Sequence, residues 1–187
     1  MKERPSLSIV VPVFRCGDSL QELVRRVKTA TAPVAAPLEI LLVDDACPHG
    51  SWAKIESLQK EHDEVSGIRL AQNGGQAGAI AEGIARARHA RVLVLDGDLQ
   101  DPPERIPDFV EAAAANGWDI VFGDRAERGH SRFRKLLSAG YRTLAPVLGM
   151  PDMRRYGSFT LLTRRAVEAY LRRPERRCLF ITTLSWL

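Results

Sequence analysis

The chain has 187 residues, 45% of them hydrophobic and 27% charged, with a net charge of +4, a balance that places it among globular domains able to bury one sizeable core. No apolar run reaches the roughly 18 residues a transmembrane helix needs, and the N-terminus lacks the apolar stretch of a signal peptide, so a cytoplasmic location is the expectation. Cys16, Cys47 and Cys178 are too widely spaced for a disulfide framework or a CxxC zinc site and read as reduced thiols.

Leu7 to Val13 is a short apolar, β-branched run and predicts a strand; Leu20, Leu23, Val24 and Val27 then recur at helical spacing. The alternation repeats. Leu38 to Val43, Gly67 to Leu70 and Ala90 to Leu95 read as strands, while Trp52 to Glu61 and Gln76 to Ala87 read as helices. Near-continuous apolar strands alternating with helices imply an α/β fold, a mainly parallel sheet with helices on both faces. Pro102 and Pro103 open a helix reaching to about Asn116, and Ile120 to Phe122 supplies a further short strand.

Beyond Asp124 the pattern changes. Arg132 to Leu148 predicts a long helix with Phe133, Leu136, Leu137, Tyr141, Leu144 and Leu148 on one face and Arg132, Arg134, Lys135 and Arg142 on the other. Such a helix either lies on a membrane or packs its apolar stripe onto the domain. Charge divides at the same place: 13 basic against 19 acidic residues up to Asp124, then 14 against 4, giving −6 and +10. The basic part suits an anionic partner, whether phosphate, nucleic acid or a lipid leaflet, although a solvated surface gives the same composition. With no repeats or long linkers, residues 1–187 read as a single domain, 1–124 and 125–187 being its two parts.

In a parallel sheet, ligands bind beyond the carboxyl ends of the strands. There the sequence places Pro12, Val13 and Phe14, the acidic pair Asp44 and Asp45, and the string DGDLQDPPE from Asp96 to Glu104. Asp96 and Asp98, one glycine apart at the sheet mouth, need a counter-charge, because unpaired buried charge is costly. Mg²⁺ or Mn²⁺ would supply it by binding carboxylate oxygens and bridging to a diphosphate. The glycine-rich turn Asn73 to Gly78 lets backbone approach a ligand, with a plain tight turn as the alternative, since it has neither GxGxxG order nor a GKS/T ending.

Taken together, SIVVPVF (8–14), EILLVDDACPHGSW (39–52), NGGQAGAIAEGIARA (73–87) and DGDLQDPPE (96–104) resemble the polyprenyl-phosphate glycosyltransferases of inverting family 2. That group includes dolichol-phosphate mannosyltransferases and undecaprenyl-phosphate sugar transferases. The resemblance implies a GT-A, Rossmann-like fold, a UDP- or GDP-sugar donor, a divalent metal and a lipid phosphate acceptor. It also implies a role in cell-envelope biosynthesis, peripheral contact with the cytoplasmic membrane face and no nucleic acid partner.

Carried across by residue, the resemblance makes Pro12, Val13 and Phe14 a nucleoside-pocket rim, Asp44 or Asp45 a contact to base or ribose, and Gln76 a donor-site residue. Asp98 and Gln100 become metal ligands with Asp96 beside donor and metal. Gly123, Asp124, Arg125 and Arg128 match a segment whose arginines meet phosphates. RRYGSFTLLTRRAV (154–167) matches one near the acceptor, with Arg164 at its basic position, and Asp152 falls where some relatives carry an active-site acid. Asp96, Asp98, Arg125 and Asp152 are thus the expected catalytic groups. The terminal PERRCLFITTLSWL resembles the approach to juxtamembrane elements. Two departures stand out: Ala46, Cys47, Pro48 and His49 follow the acidic pair where relatives usually read VDDGSPD or similar, so one expected acidic contact is missing, and Thr160 stands where arginine often follows the phenylalanine. A nucleotide-sugar-binding pseudoenzyme is the alternative those departures suggest. A signalling receiver domain would account for the Asp44–Asp45 pair but for neither DGDLQDPPE nor the basic third.

Overall fold

The computed structural model describes residues 4–124, 156–177 and 180–187, less the side chains of Asp124, Tyr156 and Arg176. The expected helix from Arg132 to Leu148, and with it Arg125, Arg128 and Asp152, lies outside the described residues.

Among the described residues six strands form one sheet: β1 (Leu7–Val13), β2 (Leu38–Asp44), β3 (Val65–Arg69), β4 (Arg91–Val94), β5 (Ile120–Asp124) and β6 (Tyr156–Thr163). Their spatial order is β3-β2-β1-β4-β6-β5. β1 pairs in parallel with β2 and β4, and β2 with β3, so the four strands foreseen from apolar runs make a parallel block. Every residue of β1 is buried, which explains its unbroken apolar run: both faces of this strand are covered.

Successive side chains of a strand point to opposite faces, so β1 feeds two cores. Ile9, Val11 and Val13 pack with Leu23, Val24 and Val27 of α1 (Leu20–Thr31), Ile55 of α2 (Ser51–Glu61) and Phe109 of α4 (Ile106–Asn116). Val10 faces the other way, toward Ile80 and Ile84 of α3 (Gly75–Arg86), Val167 and Tyr170 of α5 (Arg164–Leu171) and Phe180 of α6 (Phe180–Ser185). The α1 apolar positions fall on one helical stripe, and all of Leu20, Leu23, Val24 and Val27 are buried. Among the described residues no helix is long and apolar enough to cross a membrane. The terminal segment packs onto the sheet as far as Leu184, with the Phe180 ring edge-on to Tyr170 at 5.7 Å between centroids, whereas Trp186 and Leu187 are exposed.

β6 departs from the sequence-based expectation. It lies between β4 and β5 and runs antiparallel to both. Although Ser158, Phe159, Thr160, Leu161 and Leu162 are all buried, the run does not read as a core strand because hydroxyl residues interrupt it. Those hydroxyls are satisfied one by one: Ser158 donates to Asp96, Thr160 to the Gly157 carbonyl and Thr163 to Asp119. Thr160 sits opposite Val94 and Thr163 opposite Arg91. The start of β6 therefore lies at the carboxyl end of β4, and its last residue at the amino end.

Candidate active site

A cleft of about 550 Å³ opens at the carboxyl ends of β1, β2 and β4. Pro12, Val13, Phe14 and Cys16 line it from β1, Asp45 from β2, Asn73, Gly75 and Gln76 from the turn into α3, and Asp96, Gly97, Asp98 and Gln100 from the loop after β4. Three non-glycine residues in these exit loops, Arg15, Ala46 and Leu99, hold positive φ angles of 59°, 50° and 62°. Such a conformation costs an L-residue roughly 1–2 kcal/mol and persists only where its surroundings over-determine it. One strained residue after each of the three central strands turns the chain sharply out of the sheet at the cleft mouth.

The loop after β4 is held against β1. A side chain at Gly97 would place Cβ 2.7 Å from Cys16 Sγ and 3.3 Å from the Pro12 carbonyl, so glycine is required for this approach. Ser19 shares its hydroxyl between the Gly97 carbonyl at 2.5 Å and the Cys16 carbonyl at 2.8 Å. Asp96 Oδ1 accepts from Gln76 Nε2 at 2.7 Å and from Ser158 Oγ at 2.6 Å. Asp98 is exposed, and its Oδ1 closes a short turn by accepting from the Gln100 amide at 3.0 Å. Asp101 is buried just ahead of the 3-10 turn Pro103–Arg105 that leads into α4.

The Asp44–Asp45 pair divides its labour. Asp45 lines the cleft and caps α3 from another element: its Oδ1 accepts from the Gly74 amide at 2.7 Å, and its carbonyl accepts from Asn73 Nδ2 at 3.1 Å. A carboxylate at a helix N-terminus is favourable, and it acts beside Asn73, whose Oδ1 accepts from the Gly75 amide at 3.2 Å. Asp44 is wholly buried behind it, accepting from the Cys47 amide at 3.3 Å with Arg69 Nε 3.6 Å from its other oxygen. Burial pushes the Asp44 carboxyl above the usual carboxylate range. Of the two, Asp45 is the one that reaches the cleft.

Arg164 is not brought to the cleft. Because β6 runs antiparallel, Arg164 begins α5 at the amino end of β4, and its guanidinium donates to the Ala87 carbonyl at 3.0 Å and to that of His89. The residue expected to meet an acceptor phosphate thus ties α5 to the end of α3 at the amino-terminal end of the strands, opposite the cleft. Ser19 and Ser158 were not foreseen as site residues. Ser158 had no local signal, since only the β6 register delivers it.

The donor set suits a hard divalent cation. Asp96, Asp98 and Gln100 offer oxygen ligands on one loop, and no group of three or more His, Cys, Asp or Glu placed to hold a metal ion exists among the described residues. Mg²⁺ and Mn²⁺ are commonly held in this way, by one or two carboxylates with substrate phosphates completing the shell. Among the described residues the one soft donor lining the cleft, Cys16, has its thiol pushed up by burial and so kept protonated.

Several solved structures share this fold. A mannosyltransferase from Pyrobaculum calidifontis in complex with GDP-Man and Mn²⁺ matches over 89% of this chain and 47% of its own, with 17% identity and a TM-score of 0.63. TarS of S. aureus (residues 1–349) matches over 96% of this chain and 55% of its own, at 14% identity and a TM-score of 0.61. Mannosyl-3-phosphoglycerate synthase from Rubrobacter xylanophilus matches over 86% and 53%, at 16% identity and a TM-score of 0.60. The chain thus spans about half the length of each, and the shared feature is the GT-A, Rossmann-like fold. Glycosyl transferase family 2 matches residues 8–171, and the chain belongs to that family.

Proposed function

We propose that this chain transfers a sugar from a nucleoside diphosphate sugar to a lipid-linked phosphate, with inversion at the anomeric carbon. The observation that supports this reading is the convergence of Asp96 and Asp98 with the exposed ring of Phe14 and the first turn of α3 on one cleft. Pro12, Val13 and Phe14 form an apolar rim against which a base can lie. The first turn of α3 presents backbone N–H groups and the positive end of its dipole, which favour a diphosphate.

Asp98 and Gln100, with Asp96 beside them, would hold Mg²⁺ or Mn²⁺, whose charge offsets that gained by a departing nucleoside diphosphate. A phosphate monoester is already anionic near neutral pH, so its oxygen needs little help from a general base to displace the donor. The work left to the protein is positioning and charge neutralisation. In this reading Arg125 and Arg128 meet phosphates, and Asp152 serves as the base if the acceptor is instead a hydroxyl.

The test is a panel of UDP- and GDP-sugars screened for Mn²⁺-dependent thermal stabilisation, followed by transfer to a polyprenyl phosphate. Asp98→Ala is expected to abolish the Mn²⁺-dependent part of donor binding while leaving the fold intact, because its side chain is exposed. Donor binding without turnover on any lipid phosphate would favour a binding pseudoenzyme, and unchanged Mn²⁺ dependence in the variant would overturn the metal assignment.

A further inference from the structure

The β6 register has a consequence at the cleft. Thr160 lies opposite Val94 in an antiparallel pairing, and continuing that register by two residues sets Ser158 across from Asp96. The Ser158 hydroxyl, 7% exposed as a residue, donates to Asp96 Oδ1 at 2.6 Å. Gln76, from the first turn of α3, donates to the same oxygen at 2.7 Å. A strand and a helix thus hold one carboxylate oxygen between them.

We propose that Ser158 is a positioning residue for Asp96: with Gln76 it fixes the rotamer of the first carboxylate of the DGD loop and so sets how the metal and donor are received. The inference rests on the donor-site reading above. A carboxylate carries about four lone-pair sites on two oxygens, and the orientation of the group decides which of them face the cleft. Two charge-assisted hydrogen bonds on one oxygen pin that orientation. They also come from a strand and a helix, which hold a group more tightly than a loop does. The alternative, that Ser158 merely satisfies its own buried hydroxyl, predicts no effect on the metal.

The experiment measures Mn²⁺ binding by electron paramagnetic resonance, in the presence of UDP or GDP, for the wild type and for Ser158→Ala, Ser158→Thr, Gln76→Ala and the Ser158→Ala/Gln76→Ala double variant. Loss of a group that orients a metal ligand typically weakens metal affinity about 10–100-fold, and Ser158→Ala is expected at the lower end, roughly 10-fold. Ser158→Thr, which keeps the hydroxyl, is expected within about threefold of wild type where its thermal midpoint is unchanged. The two single losses are expected to combine to less than their product, because both act on one oxygen. Wild-type Mn²⁺ affinity in Ser158→Ala, a Thr variant of unchanged midpoint that binds as weakly as the Ala variant, or strictly multiplicative single effects would each overturn the proposal. A wild-type protein that binds Mn²⁺ with neither nucleotide would overturn the donor-site reading and this inference with it.

Discussion

The hydroxyl of Ser19 donates to the carbonyl of Gly97 at 2.5 Å, joining the turn after β1 to the glycine between the two candidate metal carboxylates. The strained exit loops of β1 and β4 therefore brace each other. Replacing Ser19 by Ala leaves the Gly97 carbonyl without this donor, at a stability cost of about 1 kcal/mol. Mn²⁺-dependent nucleotide affinity is expected to fall as well, because the loop bearing Asp96 and Asp98 loses its anchor. Urea denaturation and calorimetric titration with Mn²⁺ and UDP or GDP measure the two effects; full nucleotide affinity in a destabilised variant would show that the bond supports the fold alone.

Gly83 on α3 separates stability from site chemistry. A Cβ there would overlap Val10 Cγ1 and lie 3.0 Å from Val43 Cγ2, so α3 packs on β1 and β2 only because the position is bare. Gly83→Ala is expected to destabilise by roughly 1–3 kcal/mol through overpacking, outweighing the helix-propensity gain of about 1 kcal/mol. A thermal midpoint at or above that of wild type would refute this packing account.

Glu104 gives the acid limb of the stability profile a specific contributor. Arg26 of α1 clamps its carboxylate with two bonds of 2.7 and 2.6 Å, and that hydrogen-bonded guanidinium lowers its pKa from 4.5 to about 2. A depressed folded-state value means that the stabilisation is present above pH 4.5 and is lost as pH falls from 4.5 toward 2. The pair is exposed, so its contribution is under about 1 kcal/mol. Glu104→Gln is expected to lower stability slightly at pH 7 and to flatten that decline. Parallel stability curves for variant and wild type from pH 7 to pH 2.5 would rule out this contribution.

If the chain acts on a lipid phosphate, the basic sequence beyond Asp124 is the part suited to an anionic surface, at about 1 kcal/mol per Lys or Arg near it. Co-sedimentation with liposomes is expected to rise with anionic lipid content and to fall with salt. Replacing Arg132, Arg134, Lys135 and Arg142 by Gln is expected to weaken it while sparing nucleotide binding in the cleft. Sedimentation independent of lipid charge, of salt and of these four residues would make a soluble acceptor the better reading.

The sequence by itself determined the parallel block, because its strands are continuous apolar runs and its helices apolar stripes, both local patterns that do not depend on knowing the neighbours. It also determined which polar strings gather at the cleft, since Asp44–Asp45 and DGDLQDPPE directly follow strands and so fall at their carboxyl ends. Only the tertiary structure decided where those residues sit and what they touch. That Asp45 faces the cleft while Asp44 is buried beside Arg69 depends on how the β2 exit turns against α3. That Ser158 reaches Asp96 while Arg164 is carried to the amino-terminal end of the strands depends on the antiparallel insertion of β6. Its buried hydroxyls hide that strand from a hydrophobic pattern, and Ser158 and Asp96 lie 62 residues apart in the chain, a separation at which pairing register leaves no local trace.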